Sequence, residues 1–183
     1  MKGFVLAGVV GYLESEYGEK VAEAQKVMLA DGPLSEVYLS MDNYPDNSLD
    51  DLITSVAKIL SIQKCTLAKV IGVYLFSELM VTNPAWVEQS SSAYELLKSH
   101  NTPFNQLTVM NMPGFISPSF DCTEINCDVL EVIYRSEFLP SDIAEGLIVG
   151  ISSYYDEHLS IEKINVEPQV DFNRKFILRR KHA

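Results

Sequence analysis

A change of period near residue 113 constrains this fold more than any other feature of the chain. Before it, apolar residues recur at helical spacing. After it, they alternate. Phe4, Leu6, Val9, Val10 and Leu13 lie near helical spacing over 4–17, and Gly18 stops the run. A second helix is expected over 19–30, with Val21, Ala24, Val27 and Met28 on one side and Asp31-Gly32-Pro33 as its break. After the loop Asn43-Tyr44-Pro45-Asp46, Ser48 is expected to cap a helix with Asp51 three residues in. Its apolar stripe is Leu49, Leu52, Ile53, Val56, Ile59 and Leu60. Further helices are expected over 66–81, ended by Asn83-Pro84, over 93–98, and over 103–111, where Thr102 caps and Pro103 takes the first helical position. Pro113-Gly114 closes the helical part. Beyond it, 116–122 and 129–136 alternate as strands and 142–157 has helical spacing. The runs 160–166 and 172–180 alternate again around Glu167-Pro168-Gln169. Helices first, then strand, strand, helix, strand, strand, is an α+β plan with an antiparallel sheet.

Length and charge narrow the function. A chain of 183 residues suits one domain or two tightly packed subdomains. The formal net charge is -11, which argues against nucleic acid and anionic membranes as partners. The one basic cluster, Arg174, Lys175, Arg179, Arg180 and Lys181, reads as a solvated strand face. Three cysteines, Cys65, Cys122 and Cys127, make no disulfide framework and imply a reducing compartment. The pair Cys122-x4-Cys127 has no third ligand near it, so no metal site is expected. The apolar start, 3–10, flows into Glu14, Glu16 and Tyr17 at helical spacing rather than into a signal-peptide cleavage site, and no stretch is expected to reach the ~20 apolar residues of a membrane span. A soluble, cytoplasmic domain is expected. No phosphate loop, Ser/His/Asp order or HExxH is present. Asp50-Asp51 and Asp156-Glu157 read as solvated helix ends, so no enzyme is expected.

The stretch Tyr134-Arg135-Ser136-Glu137-Phe138 closes the alternating run Val129, Leu130, Val132, Ile133. On a continuing strand, Tyr134, Ser136 and Phe138 would share a face. It resembles the Tyr-x-Ser-x-Arg clamp of the H-NOX family, the haem-nitric oxide/oxygen-binding domains. Other residues carry the same resemblance in order: Met1-Lys2-Gly3, Tyr17-Gly18, Tyr44-Pro45-Asp46, Gly72-Val73-Tyr74-Leu75-Phe76, Pro84, Glu95-Leu96-Leu97, Pro113-Gly114, Pro118 and Ala144-Glu145-Gly146-Leu147-Ile148. The resemblance implies one domain over 1–183: a helical subdomain of about 1–62 against a helix-plus-four-stranded-sheet subdomain of about 63–183, with haem between them. It also implies a gas sensor of the stand-alone kind, working beside a histidine kinase or a diguanylate cyclase.

Two departures bear on the cofactor. The family's axial His falls on Phe104 when counted from Gln106-Leu107-Thr108, or on Asn105 when counted back from Gly114. Phe138 stands where the clamp has Arg. The losses are coupled, because a partly buried Arg without its carboxylate partner would cost several kcal/mol. Both rings, Phe104 and Phe138, are expected to be buried between the subdomains. Tyr134 and Ser136 match the clamp, although Tyr and Ser on a strand need no special reason. Val5, Val9, Leu75, Leu79 and Ile143 match distal-pocket positions, and core packing explains them equally well. Ile143 offers bound oxygen no hydroxyl, so nitric oxide would be favoured. His100 is a candidate replacement ligand, or else an exposed helix-end His; His158 and His182 receive no role. The reading is therefore an H-NOX-fold sensor or regulatory binding protein without haem, taking a small apolar ligand or a protein partner. The alternative is a sensor that binds haem b through altered ligation.

Overall fold

The computed structural model describes residues 3–18, 21, 42–82, 84–99, 118–166 and 173–181. The expected helices over 19–30 and 103–111 lie outside them. The described elements are α1 (Gly3–Tyr17), α2 (Ser48–Leu60), α3 (Lys64–Thr82), α4 (Pro84–Glu88), α5 (Ala93–Ser99), β1 (Ser119–Asn126), β2 (Val129–Arg135), α6 (Ser141–Tyr154), β3 (Leu159–Asn165) and β4 (Arg174–Arg180). The α+β plan is the one observed.

Helix α2 forms for the reason its spacing gives: Leu49, Leu52, Ile53 and Val56 make one stripe, and all four are fully buried. Its cap lies one residue earlier than expected. Ser48 is itself helical and buried, so Asn47 takes the cap position. The Asn47 carbonyl accepts the Asp51 N–H at 2.9 Å, and its amide donates to Asp51 Oδ2 at 2.7 Å. Ser61, at φ 55°, closes the helix in the left-handed region.

The four strands pair antiparallel in the order β1-β2-β4-β3. One face buries Phe120, Leu130, Val132, Tyr134, Phe176 and Leu178. On the other face, Arg135 pairs with Asp121, Lys175 with Glu131 at 2.5 Å, and Arg179 with Glu162 at 2.8 Å. The basic cluster expected to be merely solvated is thus laced by diagonal cross-strand ion pairs.

Two apolar cores result. The first joins Leu6, Val9 and Leu13 of α1, the α2 stripe, Leu67, Ala68 and Ile71 of α3, and Phe138, Leu139 and Ile143. The second joins the sheet face to Phe76, Trp86, Tyr94, Leu96, Leu97, Leu147, Ile148 and Ile151. The first core recruits part of α3 as well as Phe138 and Leu139, which precede α6. Helices α3 and α6 pass from one core to the other where their backbones touch. A Cβ on Gly72 would stand 2.2 Å from the Ile143 carbonyl oxygen, and one on Gly146 would stand 2.1 Å from the Lys69 carbonyl oxygen.

Helix α3 corrects a second expectation. By length and composition it is apolar enough to cross a membrane. In this fold it buries Leu67, Ala68, Ile71, Gly72 and Phe76, and Lys69 pairs with Glu145 of α6 at 2.6 Å.

Candidate functional site

The candidate site begins where β2 ends. Tyr134 is the last inward side chain of the strand. It is fully buried, with its ring 5.0 Å from that of Phe120. Burial pushes its phenol well above the ordinary tyrosine range, against a smaller opposing contribution from a hydrogen bond with Ser136. The hydroxyl donates to the Leu139 carbonyl oxygen at 2.8 Å.

The strand stops at Arg135, one residue short of expectation, and the cause is local. The Ser136 N–H donates to Asn173 Oδ1 at 3.2 Å, while Ser136 Oγ accepts the N–H of Leu139 at 2.9 Å and that of Phe138 at 3.3 Å. A serine hydroxyl that captures the backbone two and three residues on bends the chain. Residue 138 therefore does not share a strand face with Tyr134 and Ser136, as alternation implied. The turn carries Phe138 into the first core, where it is 4% exposed. Arg135 points to the opposite sheet face and pairs with Asp121.

The remaining candidates divide between the cores. Val9 and Ile143 are fully buried in the first core, and Val5 packs half-buried against it. Leu75 packs against both cores and Leu79 against the second. Pro118, half-buried, immediately precedes β1. Phe104, Asn105 and His100 lie outside the described residues. The fold thus gathers Val5, Val9, Leu75, Phe138 and Ile143, sets Tyr134 and Leu79 in the second core, and leaves Ser136 on the turn between.

A set that holds haem carboxylates needs hydroxyls free to donate and a cation beside them. Here the Tyr134 proton lies on the Leu139 carbonyl, the Ser136 hydroxyl is engaged by Tyr134 as well as by two backbone N–H groups, and Phe138 carries no charge. The residues present do not fit that way of holding haem. Neither Phe104 nor Asn105 has an imidazole to offer.

Other groups prove structural, and sequence reading missed their links. Glu157, expected to be solvated, accepts the Ala93 N–H at 3.0 Å and Arg180 Nε at 3.1 Å. Arg180 stands 4.2 Å over the Tyr94 ring, and the Tyr94 hydroxyl lies 2.9 Å from the Asp128 and Leu178 carbonyl oxygens. Asp156 and His158 are exposed. Asp50 pairs with Lys64 at 2.6 Å. The three cysteines are free thiols, and burial, aided by Asp121, pushes Cys122 up to about 12. Among the described residues no three His, Cys, Asp or Glu side chains converge as metal ligands. Nothing in local spacing marks Asn173 or Leu139 as partners of the turn, because both contacts follow from tertiary placement.

Comparison with known proteins agrees with this architecture. The sequence profile described as haem-NO-binding (HNOB) matches residues 2–163. Curated protein sequences give no match. Among solved structures, the chain is similar to the unliganded Fe(II) H-NOX protein from K. algicida, with a TM-score of 0.84, 18% identity, and coverage of 100% of this chain and 98% of that one. It is also similar to an H-NOX protein from S. oneidensis in the Fe(II)NO state, with a TM-score of 0.82, 17% identity and 100% of both chains covered. A mutant of T. tengcongensis H-NOX gives a TM-score of 0.82 at 20% identity, with 100% of this chain and 99% of that one covered.

Proposed function

The chain belongs to the haem-NO-binding family of gas-sensor domains, and on that premise we propose that it is a regulatory binding module whose cofactor site has been given over to internal packing. It would work without haem, by contact with another protein. One observation carries this reading. The two hydroxyls expected to meet the haem carboxylates are spent on the chain's own turn, and the side chain expected to be cationic is an aromatic ring in the first core. An apolar group at 138 is stable there because it leaves no charge uncompensated.

The proposal extends to the setting. A cytoplasmic, non-enzymatic module beside a histidine kinase or a diguanylate cyclase fits the family and the net charge of -11. A small apolar ligand between α1, α3 and Phe138 is compatible with the same residues.

Purified protein is expected to be colourless. Titration with haemin should give weak absorbance that does not saturate. A sharp, stoichiometric Soret band that survives gel filtration would sink the haem-free reading. It would favour the second reading, a nitric oxide sensor with altered axial ligation, which retention of Tyr134 and Ser136 in a haem-NO-binding chain supports. In that case His100→Ala should shift or abolish the band, and an unchanged spectrum would remove His100 as the ligand.

A further inference from the structure

We propose that the turn 136–139 is an internal latch, by which Phe138 couples the two cores and whose withdrawal loosens α1 and α2 while the sheet stays intact. This goes beyond the cofactor question and holds whether or not haem binds. Phe138 and Leu139, 4% and 6% exposed, join the first core together with Ile143, while β2 before them and α6 beyond Ile143 belong to the second. Tyr134, five residues before Leu139, is wholly within the second core, and α6 from Ala144 onward returns to it.

The turn is held from the second core's side. Tyr134 donates to the Leu139 carbonyl oxygen at 2.8 Å, Ser136 Oγ accepts the N–H of Leu139 at 2.9 Å, and Asn173, just before β4, accepts the Ser136 N–H at 3.2 Å. These bonds aim Phe138 across the boundary. The other described crossing points lie on helices rather than on a turn. Gly72 and Gly146 meet with no side chains between them, and Leu75 touches both cores while only half-buried. Among the described buried side chains at this boundary, Ile71 and Ile143 sit on helices, whereas Phe138 and Leu139 sit on a short turn whose Glu137 is exposed. A protein or ligand that draws this turn outward would act on the first core through Phe138. A partner shifts such a turn only as far as it binds the withdrawn arrangement more tightly than the seated one.

Hydrogen exchange followed by mass spectrometry on the full chain tests the latch. In Phe138→Ala, exchange over 5–13 and 49–57 should rise at least about tenfold, while 130–134 and 176–178 keep the wild-type rate. Phe138→Leu, which retains apolar volume, should restore slow exchange. Ser136→Ala leaves every core side chain in place and removes only the acceptor that shapes the turn. It should give the same regional pattern at lower amplitude, and it decides alone if Phe138→Ala does not fold. A uniform rise across both cores, or no regional change in Ser136→Ala, overturns the proposal.

Discussion

The two cores of this molecule are held by different kinds of contact. The first is an assembly of helices packed through Leu, Ile and Val side chains. Among the described residues, the directional bonds linking its separate elements are peripheral, such as the Gly3 N–H to the Asp42 carbonyl at 3.0 Å and the exposed Lys64–Asp50 pair. The second is stapled between distant elements. The Tyr94 hydroxyl reaches the Asp128 and Leu178 carbonyls, the Tyr155 hydroxyl donates to the Val87 carbonyl at 2.8 Å, Trp86 Nε1 donates to Ser99 Oγ at 3.0 Å, and Glu157 joins α5 to β4. Apolar contact is non-directional and tolerates repacking, whereas a satisfied buried network specifies one arrangement. Adjustment to a ligand or partner is therefore expected in the first core, with the second as its frame.

The change with the largest expected effect strikes where the two meet. Gly146→Ala places a methyl group against the Lys69 backbone, which cannot yield as a flexible side chain would. It should cost about 3 kcal/mol or more in denaturant unfolding, near the upper end for overpacking. A loss below about 1 kcal/mol, the lower end of the same range, would mean that α3 and α6 separate readily and the cores are less interdependent than described.

Next in size is a cut in the second core's stapling. Tyr94→Phe keeps the ring under Arg180 and removes the hydroxyl near the Asp128 and Leu178 carbonyls. A loss of about 1–3 kcal/mol is expected from the buried acceptors left without it. Equal stability of wild type and variant would erase the contrast between a stapled core and a merely packed one.

The smallest effect is set by pH. The Tyr134 phenol is raised chiefly by burial, and Tyr94 is raised for the same first reason. A phenol whose pKa is higher in the folded state than in the unfolded chain leaves stability undiminished below the ordinary tyrosine value. Stability then falls as pH rises towards the folded value, because only the unfolded chain can ionise. The loss should be under about 1 kcal/mol at about pH 10, and only beyond it should the contribution of Tyr134 approach about 1.4 kcal/mol per pH unit. Tyr134→Phe should flatten that slope. The same slope in wild type and variant would show that Tyr134 ionises in the fold as freely as in water.

What could be read from the sequence follows the range of each interaction. The α2 stripe and the alternation of β2 were legible because both are local periodicities written in neighbouring residues. The family plan was legible because many weak matches kept their order along the chain. The end of β2 was not. Period 2 runs on through Ser136 and Phe138 on paper, and only the captured N–H groups of residues 138 and 139 break it. The five-residue α4 is too short to show a period. Membership of the two cores was equally hidden, since α3 buries Ile71 in one and Phe76 in the other and so presents no single stripe. Of the candidate site, the residue types at 134, 136 and 138 were readable, but the partners that consume their chemistry were not.

The apolar character of α3 has a consequence during biosynthesis. Leaving the ribosome, this segment resembles a membrane anchor, and α6, the helix its backbone meets at Gly72, is translated only after the β1–β2 hairpin. Throughout that interval the nascent chain displays a stretch of the kind that insertion machinery and chaperones recognise, interrupted by the charges of Lys69 and Glu78. Those two side chains therefore act before α6 is there to cover the helix. They weigh against membrane insertion at the one stage when the glycine crossing that will shelter α3 does not yet exist.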